Sequence, residues 1–411
     1  MRGLFGTPGD AVTGSMSSAG PWFRLTALFA VVASALAVAS GAASIGTAHR
    51  LLASLALPPL IALVIVAWLT VRRLAAPWAV AVVLFGVAAL LPGDGGLHLA
   101  LAALALASAA VAMVMSMRGQ PVGAFGPWRD YITLTKPRIM SLLLLTGGAG
   151  MFVGAKGAPD WANFVEMLVG LALACGGASA MNHVLDADID KLMGERTEHR
   201  PVATGRVAPS HATEFAFALS ALSFVLLAST INVLTAVLAL AGNVFYVVIY
   251  TRFLKRNTVQ NIVIGGAAGA FPPIVGFAAA TGNLTLPALW LFLVVFIWTP
   301  PHFWALAILI KDKYAAADVP MLPVVRGDAE TVKQVLWYSL GLVAFTVVPF
   351  VWGPLGVIYL VSALVLGGIF VWLAVLLLRA PTHKRAGALF HYSLLYLALL
   401  FVAMAVDVVI F

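Results

Sequence analysis

Charged residues are scarce in this chain, and their scarcity excludes an ordinary water-soluble domain. Only 10% of the 411 residues are Asp, Glu, Lys or Arg, whereas about 25% is usual in soluble domains. Hydrophobic residues make up 62% of the chain, and the mean hydropathy is +1.02. This composition predicts an all-α polytopic membrane protein.

Cysteine is almost absent as well. The only one, Cys175, lies in an apolar run, so an internal disulfide is excluded and the redox compartment stays open. Residues 1–20 are rich in Gly and Ser and lack an apolar core. We therefore do not expect a signal peptide.

Acidic residues are fewer than basic ones, which gives a formal net charge of +8. The Lys and Arg residues cluster in short loops between apolar runs, as the positive-inside rule expects. The positive charge therefore predicts membrane lipid as the partner, and not nucleic acid. With a cytoplasmic N-terminus, the polar loops 182–206 and 311–334 both face the cytoplasm. We expect a multi-pass protein of the cell membrane.

The apolar runs predict thirteen spans, each long enough to cross about 30 Å of hydrocarbon. Four are early, near 25–45, 51–70, 76–92 and 97–116. Nine follow, near 139–156, 162–181, 212–230, 232–250, 260–280, 286–310, 335–352, 355–378 and 390–410.

A segment rich in Gly, Pro and Arg separates the two sets of spans and predicts a domain boundary. The expected organisation is a disordered tail (1–23), a four-helix membrane bundle (24–117), a linker with an interfacial segment (118–138) and a nine-helix domain (139–411).

The first polar loop contains the candidate catalytic residues. Asn182, Asp186 and Asp190 are spaced at i, i+4 and i+8, so on a helix they line one face. Carboxylate oxygens suit Mg²⁺, which takes further ligands from water and substrate phosphates. A diphosphate is therefore the expected ligand.

The second polar loop contains Asp312 at the end of a span, followed by Asp318. Asp312 is a candidate catalytic residue and third metal ligand beside Asp186 and Asp190, so that a metal diphosphate is clamped between two helix ends. Asp318 is the weaker candidate, and an ordinary solvated loop acid is its simpler interpretation.

These motifs, taken together, carry a family resemblance. NHVLDADIDKLMGERTEHRP (182–201), LTKPRIM (134–140), WTPPHFWALA (298–307) and PMLPVV (320–325) resemble the intramembrane UbiA-type prenyltransferases, and in particular the branch that farnesylates heme. The resemblance covers 128–411. It implies nine helices around a cavity open to lipid, Mg²⁺ as cofactor, farnesyl diphosphate as donor, and heme b as the acceptor that becomes heme O.

One position departs from the family pattern. Related sequences have an acid or Tyr after the Lys-Asp of the second motif, whereas Lys313 stands here. A cation replaces a possible metal ligand, which puts a second Mg²⁺ in doubt, but Lys313 can still bind diphosphate directly.

Further basic residues are candidates for binding the diphosphate. Arg196 and Arg200 follow the first motif and can make bidentate contacts to phosphate. The others lie at the ends of spans, where positive-inside charges are an equally good interpretation: Lys136, Arg138, Lys255 and Arg256.

Aromatic and histidine side chains are the candidates for the apolar part of the reaction. Phe271, Trp298, Phe303 and Trp304 can shield an allylic cation with their ring faces, or they can simply pack. His302 and His183 are the candidate heme-binding histidines of the core, since neutral imidazole suits iron.

The predicted N-terminal bundle has two histidines of its own. His49 and His98 each lie at the outer end of an apolar run, where two imidazoles can hold a heme iron between them. The segment resembles half of a heme A synthase, although a glutamate near His49 is missing. A bound heme in this bundle is one interpretation, and interfacial histidines without a ligand are the other.

The predicted function is farnesyl transfer to heme b, with heme A synthase or cytochrome oxidase assembly factors as partners. Two alternatives stay open: prenylation of a quinone-ring precursor, and a membrane transporter. A transporter would place carboxylates near the bilayer midplane, whereas the acids here lie at helix ends.

Overall fold

The computed structural model describes residues 127–194, 197–352 and 355–411. The predicted tail and four-helix bundle, with His49 and His98, lie outside the described residues, as do residues 118–126 of the predicted linker and Arg196.

The described part of the chain is helical and has nine helices long and apolar enough to cross a membrane. A short helix, α1 (Trp128–Leu134), precedes them. The first three spans are α2 (Pro137–Ala155), α3 (Trp161–Leu185) and α5 (Pro209–Thr230), with the short α4 (Ala187–Leu192) after α3. The fourth combines α6 (Val233–Val244), a π-helix (Phe245–Leu254) and α7 (Lys255–Asn257).

The remaining five spans complete the bundle. The fifth is α8 (Asn261–Gly265) with α9 (Ala267–Thr281), and the sixth is α10 (Leu286–Leu309), which α11 (Lys311–Ala316) follows. The last three are α12 (Leu322–Thr346) with α13 (Val348–Trp352), then α14 (Val357–Arg379) and α15 (His383–Ile410). The prediction of nine spans after the linker agrees with these helices.

The seventh and ninth spans begin earlier than their hydropathy predicts. Helix α12 starts at Leu322 and not near 335, with a bend at Gly327 (φ 77°, ψ 171°), and α15 starts at His383 and not near 390. Hydropathy detects only the length of a helix that crosses the hydrocarbon, so polar turns that extend the helix beyond the hydrocarbon are missed.

Helices α2 and α9 approach each other closely because glycines line their contact. A Cβ atom on Gly276 would overlap the carbonyl oxygen of Gly147, and one on Gly150 would overlap that of Pro273. Small residues allow backbones to approach in this way in membrane bundles, where packing drives helix association. This contact holds the fifth span against the first.

The π-helix Phe245–Leu254 is the main irregularity among the spans. The Thr251 hydroxyl donates to the Tyr246 carbonyl, five residues earlier, at 2.9 Å. The wider turn changes which side chains share a face, and π segments frequently occur at functional sites. Here it directs Thr251 at the polar end of α3.

Candidate active site

The polar cluster lies where α3 ends and α4 begins. Asp186 interrupts the helical geometry (φ −97°, ψ 6°), yet its N–H donates to the Asn182 carbonyl at 2.9 Å and its carbonyl accepts from Asp190 N–H at 2.8 Å. The one-turn spacing predicted for Asn182, Asp186 and Asp190 is therefore kept across the break.

Asn182 is held by three hydrogen bonds. Its Oδ1 accepts from Lys136 Nζ at 2.7 Å, and its Nδ2 donates to Asp186 Oδ2 at 2.7 Å and to Thr251 Oγ1 at 3.1 Å. The amide thus joins the start of the first span, the motif helix and the π-helix. Its oxygen is bound to Lys136 in this arrangement, and the catalytic role of Asn182 stays a prediction.

Asp186 is almost fully buried, with 1% of its surface exposed. Lys255 Nζ donates to its Oδ2 at 2.5 Å, and the Arg256 guanidinium lies 4.0 Å from Oδ1. Oδ1 has no hydrogen-bond partner. An orphaned carboxylate oxygen at the membrane boundary is costly unless a ligand satisfies it, and a hard cation is the ligand it suits.

Asp190 is equally buried, and both of its carboxylate oxygens accept from the same nitrogen of Arg200. Nη1 lies 2.7 Å from Oδ1 and 2.9 Å from Oδ2, while Thr197 Oγ1 donates to the Asp190 carbonyl at 2.7 Å. Burial raises the pKa of Asp190, and the neighbouring Arg200 charge partly opposes that rise. The loop after α4 is thus folded back onto the motif.

Lys136 has the left-handed backbone conformation (φ 50°, ψ 63°) directly before Pro137. A following proline disfavours the right-handed helical region, and the observed geometry turns the side chain toward Asn182. Burial and the nearby Arg200 charge lower the pKa of Lys136 to about 7. A bound anion would favour its charged form.

Arg256 belongs to a neighbouring pair that sequence reasoning missed. Its two terminal nitrogens donate to the Asp188 carboxylate at 2.6 and 2.7 Å, and Nη2 also donates to the Leu185 carbonyl at 2.7 Å. These hydrogen bonds lower the pKa of Asp188 to about 2. Asp188 therefore ties the fourth span to the motif. The only sequence feature that could have indicated Asp188 is the DxDxD spacing that it shares with Asp186 and Asp190.

Three other candidates have no hydrogen bond to this cluster within the described residues. Asp312 and Arg138 are exposed, and Lys313 is partly buried. Lys311 pairs with Asp328 at 3.0 Å instead. Within 127–194, 197–352 and 355–411 no group of three His, Cys, Asp or Glu side chains is arranged to hold a metal. The contributions of Asp312, Arg138 and Lys313 stay predictions.

Tyr314, two residues after Asp312, packs against the same hydrophobic core as Tyr250 of the π-helix. Tyr250 stacks on Tyr246, with ring centroids 5.7 Å apart. Neither tyrosine of the π-helix was predicted from the sequence.

The two core histidines have different surroundings. His302 stacks between Trp298 (centroids 4.3 Å apart) and Phe390 (4.8 Å), and its Nδ1 lies 2.6 Å from Ser393 Oγ. Only Nε2 is left as a possible iron ligand. His183 is buried, and neither ring nitrogen has a hydrogen-bond partner.

The four aromatic residues that were predicted to shield the cation do not form one group. Trp298 Nε1 donates to the Ser393 carbonyl at 2.9 Å, and Phe303 packs edge-on against His302 at 5.0 Å. Phe271 lies edge-on to Phe292 at 5.8 Å. Trp304 packs edge-on against Tyr338 at 5.2 Å. None of these contacts joins the four to the polar cluster, so a shielding role stays a prediction.

The cluster can bind an anion together with a cation. Arg200 and Lys255 bind the two buried carboxylates, and Lys136 binds the Asn182 amide that contacts Asp186. The side-chain nitrogens of Lys136 and Lys255 retain N–H donors beyond those already used. A hard cation on the carboxylates would release these donors toward phosphate oxygens.

Residues 143–402 match the model of the UbiA prenyltransferase family. A protoheme IX farnesyltransferase of Marinobacter nauticus is 51% identical over 284 residues, which cover 69% of this chain and 94% of that protein. Those of Roseiflexus castenholzii and Thermus thermophilus are both 50% identical, but the matched parts cover 53% and 46% of their lengths. The chain thus spans about half the length of these longer relatives.

Solved structures agree with the fold. A digeranylgeranylglyceryl phosphate synthase structure has a TM-score of 0.59 at 17% identity and covers 69% of this chain and 99% of its own. The apo structure of a UbiA homolog from Aeropyrum pernix K1 has a TM-score of 0.51 at 20% identity, covering 66% and 98%. At these identities the likeness concerns the fold alone.

Proposed function

The chain belongs to the UbiA prenyltransferase family, and on that premise we propose that it transfers the farnesyl group of farnesyl diphosphate to a vinyl side chain of protoheme IX (heme b), which yields heme O. The observation that carries the proposal is the 51% identity to a named protoheme IX farnesyltransferase along 94% of that protein. A quinone-ring acceptor lacks comparable support among these relatives.

The donor set of the cluster fits Mg²⁺. Asp186 Oδ1 is buried without a partner, and Asp190 lies one turn away, so Asp186 and Asp190, with Asp312 as the proposed third ligand, would hold the ion. When bound, Mg²⁺ neutralises phosphate charge as a Lewis acid.

The basic residues bind the leaving group. Arg200 and Lys255 already contact the carboxylates, and Lys136 contacts the Asn182 amide beside them. Arg138, Arg196 and Lys313 are further proposed contacts. As the allylic C–O bond breaks, its electron pair leaves with diphosphate, and these charges stabilise the anion at the moment it forms.

The apolar spans provide the other half of the reaction. The allylic cation must be kept from water until the vinyl π electrons form the new carbon–carbon bond. The new bond leaves a positive charge on a carbon of the acceptor. Water then adds to that carbon as a hydroxyl group, and a proton is released. His302 Nε2 or His183 is the proposed contact to heme; both side chains are buried in the bundle.

The polar cluster is proposed to face the cytoplasm from the cell membrane. The positive-inside distribution of Lys and Arg supports this orientation. Heme A synthase or cytochrome oxidase assembly factors are the proposed partners, since they would receive the product.

Pigment extraction tests the proposal. Cells that express the chain beside a heme-dependent oxidase should accumulate heme O, and Asp186→Asn should reduce it by at least about 100-fold, because an isosteric amide cannot supply the ligand charge. Asp318→Asn is the matched control, since Asp318 is exposed and its left-handed backbone accommodates Asn. Unchanged heme O with Asp186→Asn, or prenylation of a quinone precursor alone, contradicts the proposal.

A further inference from the structure

The turn between α14 and α15 contains a basic hollow that the proposed reaction does not use. Its volume is about 350 Å³, and its lining combines apolar and cationic side chains: Leu373, Leu376, Thr382, Lys384, Arg385 and Ala388. Because successive spans alternate in direction, this turn lies at the same membrane boundary as the Asp186 cluster.

The basic residues of the turn form no ion pair within 4.0 Å among the described residues. Arg379, Lys384 and Arg385 lie within residues 331–406, a stretch without any Asp or Glu. An uncompensated cationic hollow at a membrane boundary favours an anionic occupant.

Arg385 is fixed in place and still has donors to offer. Its Nη1 donates to the Leu376 carbonyl at 2.7 Å and to the Ala380 carbonyl at 3.4 Å. The N–H groups of Nε and Nη2 have no hydrogen bond within the described residues. Lys384, one residue earlier, is exposed beside it. A guanidinium held by hydrogen bonds next to an exposed ammonium matches the oxygens of a phosphate group.

Apolar surface continues from the hollow along both helices. On α14, Ile369 and Trp372 are 39% and 59% exposed, and they share a face with Leu373 and Leu376 by helical spacing. On α15, Leu395 and Leu399 are 51% and 41% exposed and follow Ala388 at i+7 and i+11. Acyl chains fit this surface, whereas free phosphate would not need it.

We propose that the hollow binds the head group of an anionic phospholipid, with its phosphate between Lys384 and Arg385 and its acyl chains on the apolar faces of α14 and α15. The positive-inside bias alone requires charge at this turn, but neither a cavity nor a fixed guanidinium.

Native mass spectrometry of the full chain in detergent tests the site. We expect dioleoylphosphatidylglycerol to bind in preference to dioleoylphosphatidylcholine, and Lys384→Gln with Arg385→Gln to weaken phosphatidylglycerol binding by on the order of tenfold. Should the loss of Arg385 unfold the turn, Arg379→Gln with Lys384→Gln removes the same charge and leaves the Arg385 hydrogen bonds intact.

The matched control is Arg326→Gln with Lys333→Gln, which removes two exposed charges near the same boundary but outside the hollow. Its lipid binding should equal that of the unmodified chain. Equal binding of both lipids, an equal loss in the control, or displacement of phosphatidylglycerol by millimolar inorganic phosphate would each overturn the proposal.

Discussion

Asp130 accepts hydrogen bonds from Nε of Arg206 at 2.9 Å and from Nη2 at 3.3 Å, although 76 residues separate the two in the chain. Arg206 Nη2 also donates to the His199 carbonyl at 2.8 Å. The pair therefore joins α1, which leads into Lys136, to the loop that carries Arg200. Lys136 and Arg200, two of the proposed diphosphate-binding cations, therefore depend on elements that this one ion pair holds together.

We expect Asp130→Asn to raise the KM for farnesyl diphosphate by about tenfold with a smaller change in kcat, because misplaced cations weaken binding of the phosphate end. Asp130 does not touch the carboxylates of the motif, so it acts as a positioning residue. The measurement is steady-state farnesyl transfer with purified protein in detergent, together with inhibition by inorganic diphosphate, which should weaken in parallel.

Asp160→Asn is the control, since Asp160 is an exposed acid at the opposite membrane boundary, where its side chain accepts from the Asn163 N–H at 3.0 Å. Its KM should stay unchanged, and the Asp130→Arg, Arg206→Asp exchange should restore part of the lost affinity. A similar KM increase in both variants would show a general loss of structure instead of a positioning effect.

Lys136 permits a substitution that separates charge from backbone geometry. Asn tolerates the left-handed region better than Lys does, so Lys136→Asn should keep the fold while the KM for farnesyl diphosphate rises by roughly tenfold through the loss of a charge-assisted contact. Thermal unfolding in detergent checks the first expectation and steady-state kinetics the second.

Lys156→Asn provides a matched comparison, because Lys156 has almost the same backbone conformation (φ 52°, ψ 43°) at the opposite membrane boundary. It should leave the KM unaltered. If both substitutions change the KM alike, the amine of Lys136 has no special part in substrate binding.

The close contact of α2 and α9 predicts a strong position effect on stability. Gly276→Ala should destabilise the protein by at least about 2 kcal/mol, because the added methyl group meets the Gly147 backbone, which cannot move without separating the helices. Gly269→Ala, on the same helix with open space around it, should leave the melting temperature the same or higher. Equal melting temperatures for the two variants would contradict this packing.

The membrane spans could be predicted because a long apolar segment is stable in the hydrocarbon of the membrane whatever its neighbours are. Where polar residues extend a helix past the bilayer, this rule fails, as the early start of α12 at Leu322 shows. The bend at Gly327 and the π-helix Phe245–Leu254 also left no hydropathy signal.

The candidate site was predictable only in part. The i, i+4 spacing brought Asn182, Asp186 and Asp190 together, and the structure keeps it across a break at Asp186. The partners of these residues could not be predicted from the sequence, since Lys136 and Thr251 are 46 and 69 residues away from Asn182 in the chain. Spacing rules describe one helix and say nothing about which helices meet.

The sequence by itself determined a membrane protein with apolar spans and an acidic motif at a helix end, because hydropathy and helical periodicity are local properties. Only the tertiary structure decided that Lys255 neutralises Asp186, that Arg200 neutralises Asp190, and that Asp130 binds Arg206. A buried charge needs a partner, but which partner it receives depends on how the helices pack.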